Sequence, residues 1–178
     1  MKKIACGVLL CLLATTALAQ SPAPAKAAAR CMTLEEVDRT MDPVHLTRSM
    51  LACIQQGRDN DAVDLFNIGG VFAKFDTYRV SDVSAHAAYG ALKVQAGNAL
   101  TQPQLDRFQA ALKARSSAPE YQGKLCAFAD GLYPPSYAPT YMTNHGMGAF
   151  TGKPQMVDGF QPNVAWEDVR SEYLGCGL

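Results

Sequence analysis

The feature that most constrains the fold of this chain is a set of four cysteines placed behind an N-terminal export signal. Residues 1–19 open with two lysines, continue through an apolar stretch and end in Ala-Leu-Ala, which is the pattern of a bacterial signal peptide cleaved before Gln20. Two of the six cysteines belong to this signal. The mature chain keeps the other four: Cys31, Cys53, Cys126 and Cys176. An even number of cysteines in an exported chain predicts structural disulfides, and the signal predicts a periplasmic or secreted bacterial protein.

Four cysteines allow three pairings. We favour Cys31 with Cys53 and Cys126 with Cys176, because the first bridge would join the start of the domain to an early helix and the second would hold the C-terminus. The sequence has no C-x-x-C motif, and no histidines cluster around the widely spaced cysteines. This argues against thiol redox chemistry and against a zinc site. We therefore expect neither a metal nor a cofactor.

The net charge argues against two classes of partner, and the length of the apolar run argues against a membrane-spanning helix. Two of the 16 basic residues leave with the signal, so acidic residues exceed basic ones by two in the mature chain. Without a basic surplus, nucleic acid and anionic membranes are not expected partners. The apolar run of the signal is about a dozen residues long, whereas a membrane-spanning helix needs roughly 20. We expect no integral membrane segment after signal cleavage.

Local patterns predict one helical domain. The chain divides into a signal peptide (1–19), a flexible Ala/Pro-rich leader (20–30) and a single domain (31–178). Capping boxes, in which Thr or Ser is followed three residues later by Glu or Gln, begin at Thr33, Thr101 and Ser117. Apolar residues then recur at three- and four-residue spacing, and no alternating strand pattern of comparable length competes with them. The fold class predicted is all-α, a single compact bundle of about six to eight helices with two disulfides.

The third predicted helix, which begins at Asp59 or Asn60, has two unusual features. Gly69 and Gly70 weaken it by roughly 1 kcal/mol each relative to Ala, so we expect a neighbouring helix to approach closely there. Further along, Arg79 lies three residues from an aspartate on either side. We expect it to pair with one of them in an internal polar network that orients the third and fourth predicted helices.

The last quarter of the chain differs from the rest. Seven of the fifteen aromatic residues lie between Tyr133 and Tyr173, and five of the ten prolines lie between Pro134 and Pro162. This density of prolines excludes one long helix. We predict an irregular aromatic- and Pro-rich C-terminal segment with a short helix near residues 140–145 and a final helix near 163–174.

The candidate binding surface is this aromatic segment, from Tyr133 to Phe160, with Tyr137, Tyr141 and His145 at its centre. Aromatic side chains give large contact area at small entropic cost, which suits recognition. His145 precedes Gly146 at the end of the short predicted helix and has two interpretations. It either acts as a polar anchor or general base, or it caps local backbone carbonyls. The sequence contains no G-x-S-x-G or H-E-x-x-H motif, so no catalytic residue is assigned.

Three functions remain open at the level of sequence. The first is a non-enzymatic binding protein whose partner is another protein, such as an inhibitor or an immunity protein against a toxin. The second is a small hydrolase that uses His145. The third is an assembly or structural factor of the bacterial envelope. The first is favoured because the sequence offers no catalytic motif, and the oligomeric state is not predicted.

Overall fold

Eight α-helices form the fold of residues 29–152 and 155–177, which is the part of the chain that this computed structural model describes. They are, in chain order, α1 (Pro43–Gln55), α2 (Asp59–Arg79), α3 (Ala88–Asn98), α4 (Gln102–Ser116), α5 (Pro119–Asp130), α6 (Thr140–Thr143), α7 (Gly148–Thr151) and α8 (Pro162–Asp168). Short 3₁₀ turns precede α1 and α3, at Leu34–Glu36 and Val83–Ala87, and a π-helical turn at Val169–Tyr173 continues α8. The all-α prediction is confirmed.

The predicted signal peptide and the predicted leader up to residue 28 lie outside the described residues. Within the described ranges, no helix combines the length and the apolar character that are needed to cross a bilayer. The irregular segment has the expected form. Its two α-helices, α6 and α7, span only four residues each, and the final helix breaks into α8 and the π-helical turn.

Two of the three predicted capping boxes form, and both follow from local sequence. The backbone N–H of Thr33 donates to the carboxylate of Glu36 at 2.9 Å, and that of Thr101 donates to the side-chain amide of Gln104 at 2.9 Å. Each pair satisfies a donor that the helix itself leaves free.

The third predicted box, at Ser117, is wrong. The N-cap of α5 is Ala118, which has no side-chain cap. The hydroxyl of Ser117 instead donates back to the carbonyl of Lys113 at 2.9 Å, so it belongs to the end of α4. Only two residues separate the two helices. The Ser117 hydroxyl therefore bonds to the last turn of α4 instead of capping the first turn of α5.

The core is built around α2, in which 13 of the 21 residues are buried, so that this helix is covered on nearly every side. Its neighbours include α1, α4, α8 and the π-helical turn. Phe72 and Phe75 are fully buried, and the ring of Trp166 meets both edge-on, at centroid distances of 6.1 and 5.9 Å. This contact anchors the C-terminal helix to the core.

Gly69 and Gly70 do mark a close approach, and two tyrosine hydroxyls make it. A Cβ on Gly69 would lie 2.8 Å from the hydroxyl oxygen of Tyr89 in α3, and one on Gly70 would lie 2.9 Å from that of Tyr173. The Tyr89 hydroxyl donates to the carbonyl of Phe66 at 3.0 Å. Because the two glycines have no side chains, the hydroxyls of Tyr89 and Tyr173 can lie directly against the backbone of α2.

A buried carboxylate ties α2 to α4 and α5. Asp64 is only 2% exposed. It lies 2.5 Å from the guanidinium of Arg115 and 2.7 Å from Nζ of Lys124, and it accepts a 2.9 Å hydrogen bond from the hydroxyl of Tyr121. Two cations and a donor compensate the desolvation of this charge.

The two disulfides have the predicted pairing. Cys31 bonds to Cys53 and Cys126 bonds to Cys176, with Cα–Cα distances of 4.5 and 5.6 Å. The bridges close loops of 22 and 50 residues. On a chain-entropy basis they stabilise the fold by about 3 and about 4 kcal/mol. One fastens the segment before α1, and the other fastens the end of the chain to α5.

Candidate functional site

A buried carboxylate, Asp76 of α2, lies beneath the aromatic segment and accepts hydrogen bonds from two of its tyrosines. Its side chain has no exposed surface. Oδ2 accepts hydrogen bonds from the hydroxyls of Tyr137 and Tyr141, both at 2.9 Å, and Oδ1 accepts from Nε–H of Arg79 at 2.7 Å. The Arg79 guanidinium also donates to the carbonyl of Tyr137 at 2.8 Å. The network therefore fixes the segment around α6 on the end of α2. Arg79 pairs with one of its two neighbouring aspartates as predicted, but its side-chain hydrogen bonds go to Asp76 and to Tyr137 rather than to α3, the fourth predicted helix.

Burial sets the protonation states in this network. Desolvation raises the pKa of Asp76 above its ordinary value of 3.8, and the Arg79 charge and three donated hydrogen bonds oppose that rise. Desolvation and the nearby carboxylate raise the pKa of Tyr137 and Tyr141 above their ordinary value of 10.0, so both phenols remain protonated donors at neutral pH. Their hydroxyls donate to Asp76, and both residues are half-buried. Their participation in binding stays a prediction.

The third predicted binding residue, His145, lines an open groove of about 430 Å³ together with Tyr141. The other walls of the groove are α1 and α3. His145 is exposed, and its backbone N–H donates to the carbonyl of Met142 at 3.0 Å. No hydrogen bond to its imidazole is present in residues 29–152 and 155–177. The hydrolase hypothesis stays a prediction for which these residues show no partner group.

A second surface is formed by residues 146–152 and 155–157, which we call the apolar loop. Asp82, the N-cap of the 3₁₀ turn that precedes α3, holds this loop in place. Oδ2 of Asp82 accepts from the backbone N–H of Gly148 at 2.5 Å. Oδ1 accepts from the hydroxyl of Ser84 at 2.6 Å, and that hydroxyl accepts from the N–H of Met147 at 2.8 Å. The Ser84 hydroxyl and, next, the Gly148 N–H lower the pKa of Asp82, which stays ionised near neutrality.

Backbone contacts hold both ends of the apolar loop. A Cβ on Gly146 would lie 2.8 Å from the backbone nitrogen of Ala85, so only glycine fits against the 3₁₀ turn. At the far end, the N–H of Ser81 donates to the carbonyl of Gln155 at 2.8 Å. The loop is therefore held mainly through its main chain.

The large apolar side chains of the apolar loop are exposed to solvent. Phe150 is 83% exposed and Met147 is 66% exposed. In the described residues nine large hydrophobic side chains are exposed, and five of them lie on this loop or on the adjoining 3₁₀ turn. The five are Val83, Met147, Phe150, Met156 and Val157. This concentration distinguishes the surface from the scattered exposure that any protein shows.

The sequence indicated the segment but not these residues. The predicted surface from Tyr133 to Phe160 contains the apolar loop, whereas Met147 and Phe150 were not singled out. The available signal was the pair of glycines at 146 and 148, which marks a close backbone approach and leaves the side chain between them facing outward.

Among the described residues, no group of three or more His, Cys, Asp or Glu side chains is arranged to hold a metal ion. No protein-family model, curated protein or solved structure matches this chain. A functional proposal therefore depends on the geometry of the chain itself.

Proposed function

We propose that this protein is an exported binding protein without catalytic activity of its own. In this proposal it inhibits a partner protein, such as a toxin, by inserting the apolar loop into a cleft of that partner. The observation that carries the proposal is the exposure of Met147 and Phe150 on a loop whose backbone is fixed by Asp82. Clustered exposed apolar side chains mark interaction sites more often than isolated ones do.

The energetics favour a specific contact. Transfer of one large apolar side chain from water to a buried site yields about 1.5–3 kcal/mol, so Met147 and Phe150 together supply a substantial part of a micromolar affinity. The loop is already held in place by Asp82 and Ser84. Ordering costs on binding are correspondingly small, which is the advantage of a preorganised surface.

The shape of the loop indicates the form of the partner. A side chain that is 83% exposed, as Phe150 is, projects from the surface and requires a concave, apolar site to be covered. Catalytic clefts of enzymes have this form. The two disulfides suit an oxidising compartment, where a delivered toxin would be met.

The proposal is tested by capture from a periplasmic extract with matched variants. The wild type, a Met147→Ser/Phe150→Ser double variant and a Val94→Ser control serve as baits. Val94 is 64% exposed on α3, outside the loop, so its change removes an exposed apolar side chain that the proposal does not use. We expect a protein that the wild type and the control both retain, that the double variant loses, and whose own activity falls when the wild type is added.

A growth assay separates inhibition from mere binding. A strain that lacks this protein should be harmed only when the captured partner is delivered. The control variant should restore growth and the Met147→Ser/Phe150→Ser variant should not, while circular dichroism shows that both are folded. If every captured protein binds all three baits equally, the apolar loop is not the binding surface and the proposal fails.

A further inference from the structure

Two further cavities share lining residues with the groove beside His145. Val44, Arg48 and Tyr141 also line a cavity of about 370 Å³ on one side. Thr47 and Ala96 also line a cavity of about 100 Å³ on the other side. We call the three neighbouring cavities together the furrow, because each outer cavity shares at least one residue of α1 with the groove.

The furrow changes from polar to apolar along its length. At one end, the lining is mostly polar: Asp42, His45, Arg48, Thr140, Tyr141 and Asn144, with Val44. At the other end, most of the lining is apolar, and its large apolar members are Met50, Phe66, Leu100, Leu105 and Phe108. Lys93 also lines this end, and its ammonium lies over the rings of Phe66 and Tyr89. Such a gradient fits a ligand with one polar and one apolar end.

The polar end favours an anion. Arg48 is exposed and has no salt bridge within the described part of the chain, and His45 and His145 lie beside it. The carboxylate that lines this end is Asp42, and it is engaged as the cap of α1, accepting the N–H of His45 at 2.7 Å. Arginine provides parallel donors that match a carboxylate.

Three of the five α3 residues that line the groove are alanines, and the other two are Leu92 and Gln95. Ala88, Ala91 and Ala96 line the groove opposite Val44 and Leu51. From Ala88 to Ala96 the helix rises about 12 Å, which is about the length of an extended ten-carbon alkyl chain. The apolar end offers few polar groups to a peptide backbone, whose N–H and C=O groups require partners when buried.

We propose that this furrow binds a medium-chain fatty acid. The carboxylate pairs with Arg48 at the polar end, and the alkyl chain lies along Ala91 and Ala96 towards the apolar cavity. The site is separate from the apolar loop and does not depend on the function proposed for that loop.

Titration calorimetry of the full mature protein with sodium decanoate tests the proposal. Decanol, which has the same chain without the charge, and acetate, which has the charge without the chain, are the comparison ligands. We expect saturable binding of decanoate below its micelle concentration, at least tenfold weaker binding of decanol, and no measurable binding of acetate.

Two variants locate the two ends of the ligand. Arg48→Gln should weaken decanoate binding at least tenfold and leave decanol binding unchanged, while Ala91→Leu should weaken both by filling the groove. Lys113→Gln and Ala114→Leu make the same changes on the exposed surface of α4 and should alter neither. Equal binding of decanoate and decanol, absence of saturable binding, or equal effects of groove and control variants would each overturn the assignment.

Discussion

The double glycine of α2 yields a quantitative prediction through Gly69→Ala. The new Cβ would lie 2.8 Å from the hydroxyl oxygen of Tyr89, closer than carbon and oxygen tolerate, while the next ring atom, Cζ, would lie 3.6 Å away in ordinary contact. The Tyr89 hydroxyl is held by its hydrogen bond to the carbonyl of Phe66. The clash is therefore with one atom, and Tyr89→Phe removes that atom.

Two opposing effects set the magnitude. Overpacking costs about 1–3 kcal/mol, and Ala in a helix interior is about 1 kcal/mol more stable than Gly. In the wild type, Gly69→Ala should lower the free energy of unfolding by 0 to about 2 kcal/mol, because the clash outweighs the helix propensity. In a Tyr89→Phe background the same change should raise it by about 1 kcal/mol, because only the propensity remains. The coupling energy is then about 1–3 kcal/mol.

Urea unfolding of the oxidised protein, followed by circular dichroism, measures all four members of the cycle. Gly70 and Tyr173 provide the matched control. A Cβ on Gly70 would meet the Tyr173 hydroxyl at 2.9 Å, but Tyr173 is 52% exposed and its ring can turn into solvent. The Gly70→Ala/Tyr173→Phe cycle should therefore show coupling below about 0.5 kcal/mol. The reasoning is refuted if Gly69→Ala stabilises the protein equally with Tyr and with Phe at position 89.

The polar contacts around the aromatic segment give two more expectations. Arg79→Met leaves the Asp76 carboxylate buried without its cation, so it should cost about 3–5 kcal/mol in urea unfolding, and Asp76→Asn added to it should recover part of that loss; an unchanged midpoint would contradict this. The folded pKa of Asp82 lies below 3.8, so its stabilising contact with Gly148 is present above that pH and is lost as pH falls through the folded pKa. In NMR the Gly148 amide should titrate with a midpoint below 3.8, and Asp82→Asn should abolish this step; a midpoint at or above 3.8 would show that the contact does not favour the ionised form.

Local sequence predicted the all-α fold class, and it favoured the disulfide pairing that the structure shows. The start of α4 depends on Thr101 and Gln104, three residues apart, and its signal is present in any short window of sequence. The bridge from Cys126 to Cys176 was favoured among three possible pairings because it would hold the C-terminus, and it fastens the end of the chain to α5. These predictions succeeded because the interactions behind them are short-range or few in number.

The candidate site could not be predicted in detail from the sequence, because its contacts join residues that are far apart in the chain. The hydroxyls of Tyr137 and Tyr141 reach Asp76 across 61 and 65 residues. Sequence spacing shows that Arg79 has an aspartate on either side, but it does not show which one the fold buries. Exposure of Phe150 likewise depends on how the apolar loop docks, and an aromatic residue in a Pro-rich segment is equally compatible with burial.

Asp82 holds the apolar loop through its backbone, so the residues that fix the position of the loop differ from the residues that would select a binding partner. The carboxylate of Asp82 accepts a hydrogen bond from the backbone N–H of Gly148, and the exposed side chains of Met147 and Phe150 take no part in this contact. Residues at those two positions can therefore change with little effect on the fold, as in a scaffold that carries an exchangeable recognition element. A chain built in this way can acquire a new partner through one or two substitutions, while Asp82 and the glycines keep the loop in the same place.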